Sequence, residues 1–249
     1  MDTTKFALVT GSGKRRVGSY VAEALAGRGY AIAVHYNRSA AEAAETVDRL
    51  RSMGARAESF QADLMDEIAV RELVEQVLAR FARLDVLVNC AAVWQRKRLE
   101  DVIAADVRAH FDVNALGTFL CSQQAGLAMT RQSEGGTIIT VGDWAEARPY
   151  LDYAAYFLSK GAVTALTRSL AVELGTRNPR VRVNCILPGP VMFQPDLAQT
   201  ERDAAINATL AKREGSPLNI AQAVLALVEN EYITGACLPV DGGRTVYAP

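Results

Sequence analysis

Tyr156 and Lys160 stand four residues apart in the run Tyr153-Ala154-Ala155-Tyr156-Phe157-Leu158-Ser159-Lys160. On a helix that spacing puts both side chains on one face. An ammonium beside a phenol favours the phenolate, so Lys160 is expected to lower the Tyr156 pKa from about 10 toward neutrality. A phenol so tuned can give or take a proton at a reacting atom. The plain alternative is a tyrosine beside a surface cation, since a solitary Y-x-x-x-K is commonplace.

A second constellation lies near the start of the chain. An apolar strand pattern runs into Thr10-Gly11-Ser12-Gly13-Lys14-Arg15-Arg16-Val17-Gly18, and helical periodicity follows. Glycines there let the backbone turn sharply and approach a pyrophosphate, while the helix N-terminus offers free amides and partial positive charge. The end of the second strand reads His35-Tyr36-Asn37-Arg38-Ser39. An NAD-binding site usually carries an acid there for the ribose hydroxyls, and here there is none. Arg38 with one of Lys14, Arg15 or Arg16 could instead converge on a 2′-phosphate, which favours NADP(H); the alternative is solvated cations. Asp63, after the third strand, suits an adenine amino group, a helix N-cap, or both.

These residues need a scaffold that gathers strand ends at one edge. Short runs rich in Val, Ile, Leu and Ala predict strands at Phe6–Thr10, Ala31–Tyr36, Ala57–Gln61, Leu84–Asn89, Thr137–Val141, Val181–Leu187 and Ala236–Val240. Brief apolar runs of this kind fit strands covered on both faces. Between them lie helical stripes, such as Val17, Val21, Ala24 and Leu25, and later Val163, Leu166, Leu170 and Leu174. This alternation predicts one Rossmann-type α/β domain over residues 1–249, a doubly wound parallel seven-stranded sheet in a three-layer αβα arrangement. Pro239 lacks an amide donor and places the last strand at the border.

In this order and at this spacing, the motifs resemble the short-chain dehydrogenase/reductase family over essentially the whole chain. They are the glycine loop, Asn89-Cys90-Ala91-Ala92, Asn114 in a long helix, Tyr156-x-x-x-Lys160, Pro188-Gly189 and Asp241-Gly242-Gly243. The resemblance implies a nicotinamide cofactor and reduction by hydride transfer, with Tyr156 as proton donor. It implies that Lys160 holds the nicotinamide ribose and that Asn114 anchors a proton-relaying water. Cofactor contacts are expected from Gly11, Val17 and Gly18 in the loop, and from Leu64 beside Asp63. Asn89, Ala91, Pro188, Gly189 and Val191 complete that set. A homotetramer is implied as well.

The departures from the family pattern are informative. Asp143 stands thirteen residues before Tyr156, where most members carry a serine that polarises a carbonyl. An ionised carboxylate cannot donate a hydrogen bond and repels a developing oxyanion. It can accept from an N–H or, if buried and protonated, pass on a proton, which suits a nitrogen heterocycle. The pteridine reductase subgroup is similar in this aspartate, in a His-Tyr-x-Arg-Ser segment, and in an aromatic residue after the fourth strand, here Trp94. A pterin or dihydrofolate-type C=N bond is the implied target. A 3-oxoacyl-carrier-protein reductase or a sugar or alcohol dehydrogenase is the alternative, and a silent NADP(H) sensor a third reading. Trp94 is expected to stack on the flat substrate, or else to plug a core or an oligomer contact. Arg96, Lys97 and Arg98 would attract an anionic tail or merely be solvated. The glycine loop is one residue longer than usual, with Arg in place of an internal glycine, leaving open whether Arg15 or Arg16 meets the phosphate. Val191–Gly215, with Met192 and Phe193, is expected to form a substrate lid.

The bulk properties narrow the partners. Half of the 249 residues are apolar and the formal charge is −1, which offers no field for nucleic acid or an anionic membrane. The opening Met-Asp-Thr-Thr-Lys enters a strand pattern at once, so no signal peptide is expected. Cys90, Cys121, Cys185 and Cys237 form no C-x-x-C pair. Buried thiols in a reducing cytoplasm are expected, with neither disulfide nor metal.

Overall fold

The computed structural model describes residues 5–193 and 197–247. Seven parallel strands form one sheet in the order β3-β2-β1-β4-β5-β6-β7. They are β1 (Phe6–Thr10), β2 (Ala31–Tyr36), β3 (Ala57–Gln61), β4 (Val86–Asn89), β5 (Gly136–Val141), β6 (Val181–Pro188) and β7 (Cys237–Val240). The chain first winds outward from β1 to β3, then returns to β4 and winds the other way. The C-terminal ends of β1 and β4 therefore diverge at a switch point, where α/β sheets place their ligands.

One face is covered by α1 (Val17–Ala26), α2 (Ala40–Ser52) and α8 (Pro217–Glu229), whose apolar stripes meet Val9, Ile32, Val34 and Ile139. The other is covered by α3 (Glu67–Phe81), α5 (Gly117–Met129) and α6 (Ala154–Arg177), packed on Leu8, Leu87, Ile138 and Val183. Burial on both faces explains why the strands read as continuous apolar runs rather than alternating ones. Edge strand β7 holds Pro239, as its missing amide requires.

Two expected strands are shortened at their starts, for a shared reason. The Leu84 amide donates to Gln132 Oε1 (2.9 Å) and its carbonyl accepts from Gln132 Nε2 (2.9 Å), so a side chain replaces the ladder there. The Ala236 amide likewise goes to Asn184 Oδ1 (3.0 Å). The helix expected around Asn114 is composite. It runs as α4 (Ala104–Phe111), a π-helical turn over Asp112–Leu116, then α5. Single π turns inside helices often mark functional positions, and Asn114 lies within this one.

Of the expected lid, Gln194, Pro195 and Asp196 fall outside the described residues, as do Met1–Thr4. The rest carries α7 (Gln199–Asn207). Among the described residues, no helix is long and apolar enough to cross a membrane and no cluster of His, Cys, Asp and Glu could hold a metal ion.

Candidate active site

Tyr156 occupies the first turn of α6 and Lys160 the next, so the predicted same-face geometry holds. Both are buried, with relative exposures of 6% and 3%. Their electrostatics reverse the sequence expectation. Tyr156 Oη donates to Asp143 Oδ2 at 2.7 Å. Burial first, then the Asp143 charge and this hydrogen bond, hold the phenol well above its ordinary pKa. Lys160 cannot offset that, because Nζ turns to the Val141 carbonyl (2.7 Å) and lies 5.9 Å from the Tyr156 ring centre. Burial also pulls Lys160 down, opposed by Asp143 and Glu146. The phenol is thus a guarded proton store rather than a ready phenolate.

Asp143 follows β5 and caps a single 3-10 turn, Trp144–Glu146. Its Oδ1 accepts from the Ala145 amide at 2.8 Å, which leaves Oδ2 for the phenol. Burial pushes its carboxyl pKa up, against those two hydrogen bonds and Lys160. Glu146 closes the turn from below, its Oε1 accepting from the Asp143 amide (3.3 Å). Its carboxylate lies beside Gly142, where a Cβ would come within 2.7 Å of it. Glu146 was missed in the sequence, although Asp143-x-x-Glu146 has the spacing of a capping box.

Asn114 is spoken for on both sides of its amide. Its Oδ1 accepts from the Val93 amide (2.8 Å), while Nδ2 donates to the Val93 carbonyl (2.9 Å) and to Ser159 Oγ (3.0 Å). One residue beyond Trp94, the Gln95 amide donates to His110 Nε2 (3.3 Å), so Nδ1–H is left to donate to Asp106 O (2.8 Å). The loop bearing Trp94 is therefore pinned on either side of the indole. Trp94 stacks on Tyr153, with centroids 5.1 Å apart and planes 17° from parallel, and lies 6.4 Å from the Tyr156 ring. Tyr153 is not among the expected site residues, though its i, i+3 spacing to Tyr156 places it on the same side of the α6 start.

The glycine loop sits at the switch point. Gly11 has φ +63°, and a Cβ there would lie 2.7 Å from Ala91 Cα, so a side chain would force the β1 and β4 loops apart. Thr10 Oγ1 ties the two together by accepting from the Cys90 and Ala91 amides. No side chain caps the first turn of α1, which leaves the Val17 and Gly18 end open to an anion. Asn89 donates to Ser122, while its buried Oδ1 has no partner among the described residues. An open helix start, a close-approach glycine and an unpaired buried acceptor fit a dinucleotide. Pro188, Gly189 and Val191 lie at the end of β6 on the same edge.

His35 is 2% exposed and lies beneath this loop rather than in the groove. Its Nε2–H donates to Ala62 O (3.2 Å) and Nδ1 accepts from the Gly11 amide (3.1 Å), which requires a neutral ring. Burial lowers its pKa to about 4. Tyr36, Asn37 and Ser39 are partly exposed at the end of β2, while Leu64 is buried in the core and offers only backbone. Asp63 Oδ1 accepts from the Met65 amide (3.1 Å), whereas the N-cap of α3 is Asp66, which takes the Ile68 and Ala69 amides.

The cations sort themselves. Arg15 pairs with Glu23 and lies over the Tyr20 ring (3.8 Å), so it points back along α1. Lys14 is 3.6 Å from Glu42. Arg16 and Arg38 are exposed, with no ion pair among the described residues. The triplet after Trp94 behaves otherwise than an anion trap: Arg96 bridges Asp152 and Glu201, Lys97 pairs with Asp106, and Arg98 with Glu100. Local carboxylates already answer each charge, so the anionic-tail expectation is not met.

Comparison with known proteins supplies the context for this geometry. A family model described as Enoyl-(Acyl carrier protein) reductase matches residues 12–245. The short-chain reductase protein NovJ of Streptomyces niveus is 36% identical, covering 96% of this chain and 93% of its own. The 3-oxoacyl-[acyl-carrier-protein] reductase FabG of Staphylococcus aureus is 32% identical over 98% of this chain and 99% of its own. The crystal structure of acetoin dehydrogenase from Enterobacter cloacae superposes with a TM-score of 0.89 at 33% identity, covering 100% of this chain and 98% of that one.

Proposed function

Because the chain belongs to the short-chain dehydrogenase/reductase family, we propose that it is an NADPH-dependent reductase acting on a flat, nitrogen-rich C=N substrate of the pterin or dihydrofolate type. The observation that carries this reading is the 2.7 Å bond from Tyr156 Oη to Asp143 Oδ2. NADPH, when bound, supplies the hydride. Tyr156 supplies the proton, and its raised pKa keeps that proton in place at every physiological pH, which suits reduction.

The phenol must first turn from Asp143 to the substrate. A pyrimidine edge with its own N–H can replace the phenol as donor to Oδ2, which frees Tyr156 to face a ring nitrogen. A ketone brings no donor and would leave Asp143 Oδ2 unpaired, with Oδ1 still on the Ala145 amide, at a cost of about 1–3 kcal/mol. Trp94 and Tyr153 supply an aromatic wall beside Tyr156, apt for a planar ring. Val17, Gly18 and the α1 start would hold the pyrophosphate, Lys160 the ribose, and Arg16 with Arg38 the 2′-phosphate. The remaining lid residues of Val191–Gly215 would close over the substrate. A cytoplasmic homotetramer is the assembly we assign.

The relatives favour a second reading, carbonyl reduction, since their names specify a 3-oxoacyl-[acyl-carrier-protein] and acetoin. NADPH oxidation with dihydrobiopterin, dihydrofolate and acetoacetyl-CoA separates the two. Turnover of a dihydropterin or dihydrofolate is expected, and Asp143→Ser should lower its kcat/KM by about tenfold or more, the loss of one charge-assisted hydrogen bond. Turnover of the thioester alone, undiminished in Asp143→Ser, would establish the carbonyl reading instead.

A further inference from the structure

Cys185 and Cys237 are direct register partners on neighbouring parallel strands, β6 and β7. Register partners project to the same face, and adjacent strands lie about 4.8 Å apart. That separation is within the roughly 4.4–6.8 Å Cα range of disulfides. The Cys185 S–H donates to the Ile186 carbonyl at 3.5 Å, and the neighbouring Cys185 and Cys237 thiols perturb each other's titration. Both are free, Cys185 fully buried and Cys237 partly exposed on the edge strand. Cys90 follows the end of β4 and Cys121 lies on α5, and neither is in strand register with another cysteine. From this arrangement the geometry points to a redox modification site: Cys237 is attacked by a hydroperoxide and Cys185 resolves it to an intramolecular disulfide.

The step balances. The Cys237 thiolate forms an S–O bond as the peroxide O–O bond breaks, and the leaving hydroxide takes up a proton to become water (or an alcohol from an alkyl peroxide). Sulfur is thereby oxidised by two electrons to a sulfenic acid. Cys185 then attacks that sulfur, the S–S bond forms, and the S–O oxygen leaves as water with the Cys185 proton. Two thiols and one peroxide become one disulfide and two waters.

Their surroundings divide the roles. The adjacent Cys185 thiol and the Arg168 guanidinium on α6 draw the Cys237 thiol below its ordinary pKa, against burial and Glu146. The adjacent Cys237 thiol and burial push Cys185 up, which suits a resolving rather than an attacking thiol. Around Cys185 stand Thr140 on β5, Gly142, and Lys160 on α6. The pair thus adjoins the catalytic end without belonging to its hydrogen-bond network.

Purified full-length protein, treated with stoichiometric hydrogen peroxide, then denatured, alkylated and digested, provides the test. The expected product is one linked pair of peptides containing Cys185 and Cys237, two hydrogen masses lighter, reverted by dithiothreitol, with Cys90 and Cys121 alkylated. Cys185→Ala should instead trap oxygen on Cys237, and Cys237→Ser should leave Cys185 reduced, each with unchanged circular dichroism. Overturning results are full alkylation of both cysteines after peroxide, oxygen added to Cys237 with Cys185 still free in the unmutated chain, or a link between two copies.

Discussion

The proposed catalytic and nucleotide ends of this molecule carry their charges in opposite ways. At the proposed catalytic end, Tyr156, Lys160 and Asn114 are buried and Asp143 partly so, and each is held by at least one neighbour at hydrogen-bond distance. At the nucleotide end, Lys14, Arg15, Arg16 and Arg38 reach into solvent, and two of them are diverted by Glu42 and Glu23. Burial sharpens electrostatics because no water screens the charges, whereas exposed cations act through a high dielectric. On the proposed function, the first region would fix chemistry and the second would adjust affinity.

The sharpest way to break this contrast is Tyr156→Phe. It should lower kcat for NADPH oxidation by about 10²–10⁴-fold, the usual contribution of a positioned general acid. A loss of less than about tenfold, measured by stopped-flow absorbance on the accepted substrate, would remove the distinction between the two ends.

His35 is the exception that joins the regions, a buried group under an exposed loop. Its folded pKa, near 4, lies below the ordinary 6.5, so the unfolded chain binds the extra proton first. His35 therefore contributes stability in full above about 6.5, and that contribution is lost as pH falls toward 4. The shift corresponds to roughly 3 kcal/mol. Urea unfolding at pH 7 and pH 4.5 should show a smaller loss in His35→Gln than in the unmutated chain. Equal losses would mean that the ring does not hold Gly11.

Smaller effects are expected among the cations. Arg16→Ala and Arg38→Ala should each raise KM for NADPH by about tenfold with little change for NADH, one exposed charge-assisted contact apiece. Arg15→Ala should change it less than about threefold, because its guanidinium already serves Glu23 and Tyr20. A reversed ranking would show that Arg15 swings to the phosphate when the cofactor binds.

Much of the architecture was legible in the chain because it is written locally. Apolar runs marked every strand to within two residues, Pro239 marked the edge, and the four-residue spacing put Tyr156 and Lys160 on one helix face. The family, too, followed from the order and spacing of its motifs. What spacing could not carry was the destination of each hydrogen bond and the depth of each group. Lys160 turns to Val141 and Tyr156 to Asp143, so the phenol's pKa rises where sequence proximity to an ammonium argued that it falls. Which arginine is unpaired, and that Cys185 faces Cys237 fifty-two positions away, were likewise decided by packing. Residue types and periodicity determine which face a side chain leaves from; only the folded neighbours determine what it meets and how much water remains around it.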